Sequence, residues 1–104
     1  MEKVFEDLEF DWDTHNTDKI WKKHKVRFTD AEEVFFDINL IILPDPTHSI
    51  AEARYIVLGK TKTGRPLFVV FTERVGKIRI ISARDMSKKE RSRYNEQTKE
   101  SAGA

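Results

Sequence analysis

A chain of 104 residues, 38% hydrophobic and 36% charged, has the size and composition of one soluble globular domain with a small core and no room for a deep cavity. It contains no cysteine, which excludes disulfides, thiolate nucleophiles and Cys-ligated zinc and suits a reducing cytoplasm. The 19 Lys and Arg nearly cancel the 18 Asp and Glu, yet the charge is sorted: residues 2–18 carry seven acids and one base, residues 77–99 eight bases and three acids.

From Val4 to Trp12 apolar and acidic residues mix, alternating after Leu8, which predicts a short half-buried first strand with its acids in water. Asp13 is placed to cap a helix running to about His24, with Ile20, Trp21 and His24 on one face. Thr29 and Glu32 have the spacing of a capping box, and Ala31, Val34 and Phe35 give a second short helix its buried stripe, with Phe28 as staple. Beyond Asp37 the period changes to that of strands: Leu40–Leu43, stopped by Pro44 and Pro46, then Ala53–Lys60, Leu67–Phe71 and Lys77–Arg84. The turns Thr61–Gly64 and Glu73–Gly76 are short, so these strands are expected to form an antiparallel meander. Ser87 and Glu90 make another capping box before a basic final helix, and residues 97–104 read as a frayed tail behind a single domain over 1–96. The longest apolar runs fall far short of the roughly 20 residues that span a bilayer. The acidic N-terminus lacks a signal peptide's apolar segment. A cytoplasmic protein without membrane contact is expected.

Three histidines, His15, His24 and His48, lie on different segments without the close spacing of a metal pair, and no phosphate-binding glycine motif is present, so no metal or nucleotide cofactor is expected. His24, within Lys23-His24-Lys25, can serve as general base or acid near pH 7; it can equally cap its helix C-terminus and pack beside Ile20. Arg54, Arg79 and Arg84 project from adjacent strands, and guanidinium forks match phosphate oxygens. Glu52 and Glu73 are positioned to support these arginines, and a purely structural ion-pair network is the competing reading. On the last helix Lys88, Lys89 and Arg91 offer charge, and Tyr94 is available either to stack on a base or to pack on the sheet.

Several of these segments, taken in order, resemble the BrnT family of type II toxins: Phe10-Asp-Trp-Asp13, Lys23-His24-Lys-Val26, Ala31-Glu-Glu-Val-Phe35, Glu52-x-Arg54, Val69-Val-Phe71 and Arg79-Ile-Ile-Ser-Ala-Arg84. The resemblance covers about residues 8–95. It implies a compact α+β fold similar to RelE-like ribonuclease toxins: two N-terminal helices packed on an antiparallel sheet, and a C-terminal helix. It also implies an endoribonuclease that arrests translation and is neutralised by an antitoxin of the BrnA type, a ribbon-helix-helix-like DNA binder. Many relatives carry Gly after the Lys-His pair, where this chain has Lys25. Lys adopts a positive φ reluctantly and adds a possible phosphate contact. The residues and the resemblance converge on Lys23, His24, Arg54, Arg79 and Arg84, with Glu52 and Glu73 as supports and with His24 or else Glu73 moving protons. Lys25, Arg84, Lys88, Lys89, Arg91 and Tyr94 would hold RNA, and Glu52 would support them. The alternative is a non-catalytic relative that binds only an antitoxin or nucleic acid.

Overall fold

The computed structural model describes residues 8–46 and 52–103, with side chains to residue 97; His48 lies outside the described residues. Five strands form one sheet in the order β1-β5-β4-β3-β2: β1 (Phe10–Asp11), β2 (Ile41–Pro44), β3 (Tyr55–Lys60), β4 (Pro66–Arg74) and β5 (Lys77–Asp85). Strands β2 to β5 pair antiparallel, as the short turns require. The expected all-antiparallel sheet is in fact mixed, because β1 pairs parallel to β5, Phe10 facing Ile78 and Asp11 facing Arg79. The chain leaves β1 through two helices and re-enters the sheet at the opposite edge, a path open to a parallel edge strand and closed to a hairpin.

Helix α1 (Thr14–His24) starts where Asp13 accepts the Asn16 amide, and ends where Lys25 turns left-handed at φ 54° and ψ 39°, its amide reaching the Trp21 carbonyl. Helix α2 (Phe28–Glu33) begins earlier than its sequence suggests. Asp30, rather than Glu32, reaches back to a backbone amide, that of Arg27, while Glu32 accepts the Trp12 indole N–H at 2.7 Å. Phe28 sits edge-on to Trp12 and is half exposed. A single 3-10 turn, Val34–Phe36, follows. Gly59 lies under it; a Cβ there would stand 2.9 Å from the Val34 carbonyl oxygen, so only glycine allows this approach.

Helices α1 and α2 cover one face of the sheet. Ile20, Val26, Val34 and Phe35 meet Val57, Val69, Phe71 and Ile80 in the main core, with the Phe35 ring edge-on to Phe10 and Phe71. On the other face α3 (Lys88–Gly103) covers only one end, burying Tyr94 and Met86 against Leu58. Its start is the expected capping box: Glu90 accepts the Ser87 amide at 2.8 Å, and the Ser87 hydroxyl accepts that of Glu90 at 3.2 Å. The helix runs on to Gly103, through the residues read as a tail.

One irregularity decides where the arginines point. Val70 pairs with Ser82 but Phe71 pairs with Ile80, leaving Ile81 as an extra residue in β5. Strict alternation would send Arg79 and Arg84 to opposite faces, since five positions separate them. The bulge restores the phase. Ile80 and Ala83 both reach the main core, and Arg79 and Arg84 share the face opposite α1 and α2.

Candidate nucleic-acid interface

Arg54 shares this face with Ile56, since Tyr55 between them packs into the main core. It lines a shallow cleft of about 270 Å³ with Phe68, Val70, Ile81 and Ser82. The Arg84 guanidinium lies 3.8 Å from the Phe68 ring centroid. Arg54, just before β3, therefore shares one side of the sheet with Arg79 and Arg84, which their spacing alone would not have placed together.

Carboxylates engage Arg79 and Arg84. Arg79 donates to Asp11 at 3.1 Å and to Asp13 at 3.2 Å, tying β1 and the α1 cap to β5. Arg84 makes a fork with Glu90, at 2.8 and 2.9 Å. The fork lowers the Glu90 carboxyl below its ordinary value, against its burial and with help from the Ser87 amide, and it raises Arg84. Glu52, expected beside Arg54, is bound instead to Arg74 at 3.2 Å. Glu73 pairs in register with Ile78 and projects from the α1 side, away from Arg54 and Arg79. Tyr94 is buried, its hydroxyl donating to Asp37 at 2.6 Å, so it anchors α3 and offers no ring to a base.

Lys23, His24 and Lys25 are at the other end of the molecule's long strand, where β5 stops. A residue that the pattern of the sequence did not single out fixes them there. Arg65, in the turn before β4, donates through Nε to Asp85 at 2.7 Å, and through Nη1 and Nη2 to the carbonyls of Lys25 and His24 at 2.8 and 3.1 Å. It satisfies carbonyls that the end of any helix leaves without partners. The Asp85 carboxyl is held below its usual range first by the Arg65 hydrogen bond, opposed by desolvation, and further by the charges of Arg65, His24 and Arg91. His24 and the first turn of α3 therefore lie around Asp85. The signal that could have found Arg65 is only that the next turn offers a lone arginine; its partners are 40 and 20 residues away.

At this corner the end of α1, Arg65, the end of β5 and the start of α3 meet around Asp85, and Lys22, Lys23, Lys25, Lys88, Lys89 and Arg91, carried by the two helix ends, are all exposed. Among the described residues no three His, Asp or Glu side chains group as metal ligands would. No helix is long and apolar enough to cross a membrane.

A small mixed sheet with one face covered by α1 and α2, the other covered at one end by α3, defines a compact α+β domain. The family described as "ribonuclease toxin, BrnT, of type II toxin-antitoxin system" matches residues 12–90, and the chain belongs to that family. A crystal structure of the Brucella abortus ribonuclease toxin BrnT has the same fold, with a TM-score of 0.60 at 20% sequence identity over 78% of this chain and 99% of that one. No curated protein matches. The expected α+β architecture is thus observed, and the chain belongs to the ribonuclease toxins of type II pairs, with RNA as target and an antitoxin as partner.

Proposed function

We propose that this toxin cuts single-stranded RNA in the cytoplasm without a metal ion, at the corner where α1 ends. RNA carries its own nucleophile. The 2′-hydroxyl oxygen bonds to the adjacent phosphorus as the bond to the 5′-oxygen breaks, leaving a 2′,3′-cyclic phosphate and a 5′-hydroxyl. The protein must accept one proton, return one, and stabilise charge on the phosphate oxygens. His24 moves a proton, Lys23 and Lys25 face the phosphate, and the RNA continues past Arg84, Lys88, Lys89 and Arg91 towards the cleft lined by Arg54. Arg79, held by Asp11 and Asp13, positions the edge strand before it meets any phosphate. The observation carrying this reading is the Lys23-His24-Lys25 turn, pinned by Arg65 among cations from four elements.

The test is cleavage of a single-stranded RNA in the presence of a chelator. Cyclic or 3′-phosphate ends are expected, with Arg54→Ala weakening RNA binding. Strict dependence on Mg²⁺, or full activity of a His24→Gln variant, would sink the proposal.

The carboxylates already bound to Arg79 and Arg84 favour a second reading, a relative that retains antitoxin binding without cleavage. Expression of the toxin alone separates the two, since only the nuclease slows growth. In either case an antitoxin of the BrnA type, in a hetero-oligomeric complex, would lay acidic residues over the cationic corner.

A further inference from the structure

Helical spacing places Trp21 on the buried face with Ile20 and His24. The structure instead leaves Trp21 45% exposed, while Ile20 is 3% exposed. The other tryptophan of the chain shows what a structural indole looks like here: Trp12 is half-buried, donates to Glu32 and packs edge-on to Phe28. Trp21 has a cation over its ring. The left-handed turn at Lys25 brings that ammonium to 5.2 Å from the Trp21 ring centroid.

Two unfavourable choices thus coincide on one helical turn, a large ring in water and a non-glycine residue at φ 54°. Backbone strain of this kind persists where surrounding structure enforces it, and it gathers at binding sites. Here the enforcement is visible in Arg65, which grips the carbonyls on either side of the turn. Lys22 and Lys23 are exposed on the same turn, and His24 lies three positions on, a neighbour on the helix surface. An exposed aromatic ring with a lysine over it and further lysines on the same turn can hold an unpaired nucleobase by stacking while its phosphates meet the cations.

We propose that Trp21 is a stacking platform for one unpaired base of the RNA, next to the phosphate at His24, with Lys25 bridging base and backbone. The inference rests on the functional reading above and adds to it a substrate requirement. The base at this position must be unstacked, so duplex RNA is excluded there. Stacking tolerates any base, and Trp21 contributes affinity more than sequence preference.

The experiment uses an RNA oligonucleotide with 2′-O-methyl groups, which has no free 2′-hydroxyl and stays uncut. Its anisotropy and the intrinsic tryptophan fluorescence of the protein are followed together. The wild type is expected to bind with quenching, and the same sequence in a duplex to give none. Trp21→Phe, which leaves Trp12 as the fluorophore, should bind with little quenching. Trp21→Ala should bind roughly 10-fold more weakly with an unchanged salt dependence. Lys25→Ala should lower the salt slope by about one phosphate's worth. Binding by the wild type with quenching preserved in Trp21→Phe, or with affinity unchanged in Trp21→Ala, overturns the platform alone. Loss of antitoxin co-purification by Trp21→Ala at unchanged RNA affinity also overturns it, assigning the ring to the protein partner. No binding by the wild type overturns the functional reading and the platform with it.

Discussion

The two ends of β5 use the same residue types for opposite purposes. At its start, Arg79 is bracketed by Asp11 and Asp13, and neighbouring Arg74 by Glu52. At its finish, exposed lysines and Arg91 outnumber Asp85 and Glu90. An arginine's role is therefore set by which acids the fold delivers to it. Those at the start come from 66 and 68 residues away, across a parallel strand pairing. Arginine cations at the finish are engaged too, but to hold a turn that displays other cations.

The largest effect expected is chemical and separates the ends outright. His24→Gln should reduce RNA cleavage by about 100-fold or more, the usual contribution of a positioned proton-transfer group, with RNA affinity nearly unchanged. Glu73→Gln, at the far end and on the helix-covered side, should leave the rate within about twofold. Single-turnover rates with saturating protein decide it, and the reverse result would relocate the proton chemistry to the start of β5.

Second in size is Arg79→Ala. It removes two charge-assisted hydrogen bonds and leaves Asp11 and Asp13 facing each other, at a cost of about 2 kcal/mol. In a domain of this length that lowers the melting temperature by about 10 °C. If the far end is structural, RNA affinity measured well below the new melting temperature changes little. A variant that melts normally but fails to bind would move Arg79 into the interface.

Glu90→Gln probes the corner. Glutamine can still complete the capping box but cannot neutralise Arg84. The Glu90 and Asp85 carboxyls lie below their ordinary values in the folded protein. Their contribution is complete above the unfolded carboxyl range and is lost as pH falls through the folded values. The variant should be less stable than wild type by about 1 kcal/mol at neutral pH. The difference should vanish in acid. It should also bind RNA several-fold more tightly at low salt, because a cation is released, whereas an acid removed at the far end, as in Asp11→Asn, should not.

The local parts of this fold are plain in the chain itself. Asp13 caps α1, Ser87 and Glu90 start α3, and the alternation of Tyr55 and Ile56 between two clusters sets the faces of β3. What escapes local pattern depends on distant partners. The β1 pairing lies across the whole meander, the extra Ile81 is visible only in the register, and Arg65 acts on residues from two other elements. Trp21 follows the same rule. Helical spacing can place it beside Ile20, but only the packing of α1 on β5 decides where the buried stripe ends. Arg79 and Arg84 share a face only through a bulge that alternation argues against, and the carboxylates that bind them come from other segments.

The smallest expected effects come from the one strained residue at each end. Lys25 and Val75 are the non-glycine residues with positive φ among those described, at 54° and 53°. Val75 precedes Gly76, φ 75°, in the two-residue turn between β4 and β5, and is 94% exposed. Such turns favour Asn-Gly, and a β-branched residue there is costly. Val75→Asn should stabilise the protein by about 0.5–1 kcal/mol without touching RNA binding or cleavage. Lys25→Gly should relieve the same strain and stabilise by a similar amount, about 1 kcal/mol, while weakening RNA binding measurably at low salt. Strain at the far end is then incidental, and strain at the corner is kept for the cation it holds over Trp21. Equal RNA affinity in both variants would remove that distinction and leave Lys25 as another accident of the turn.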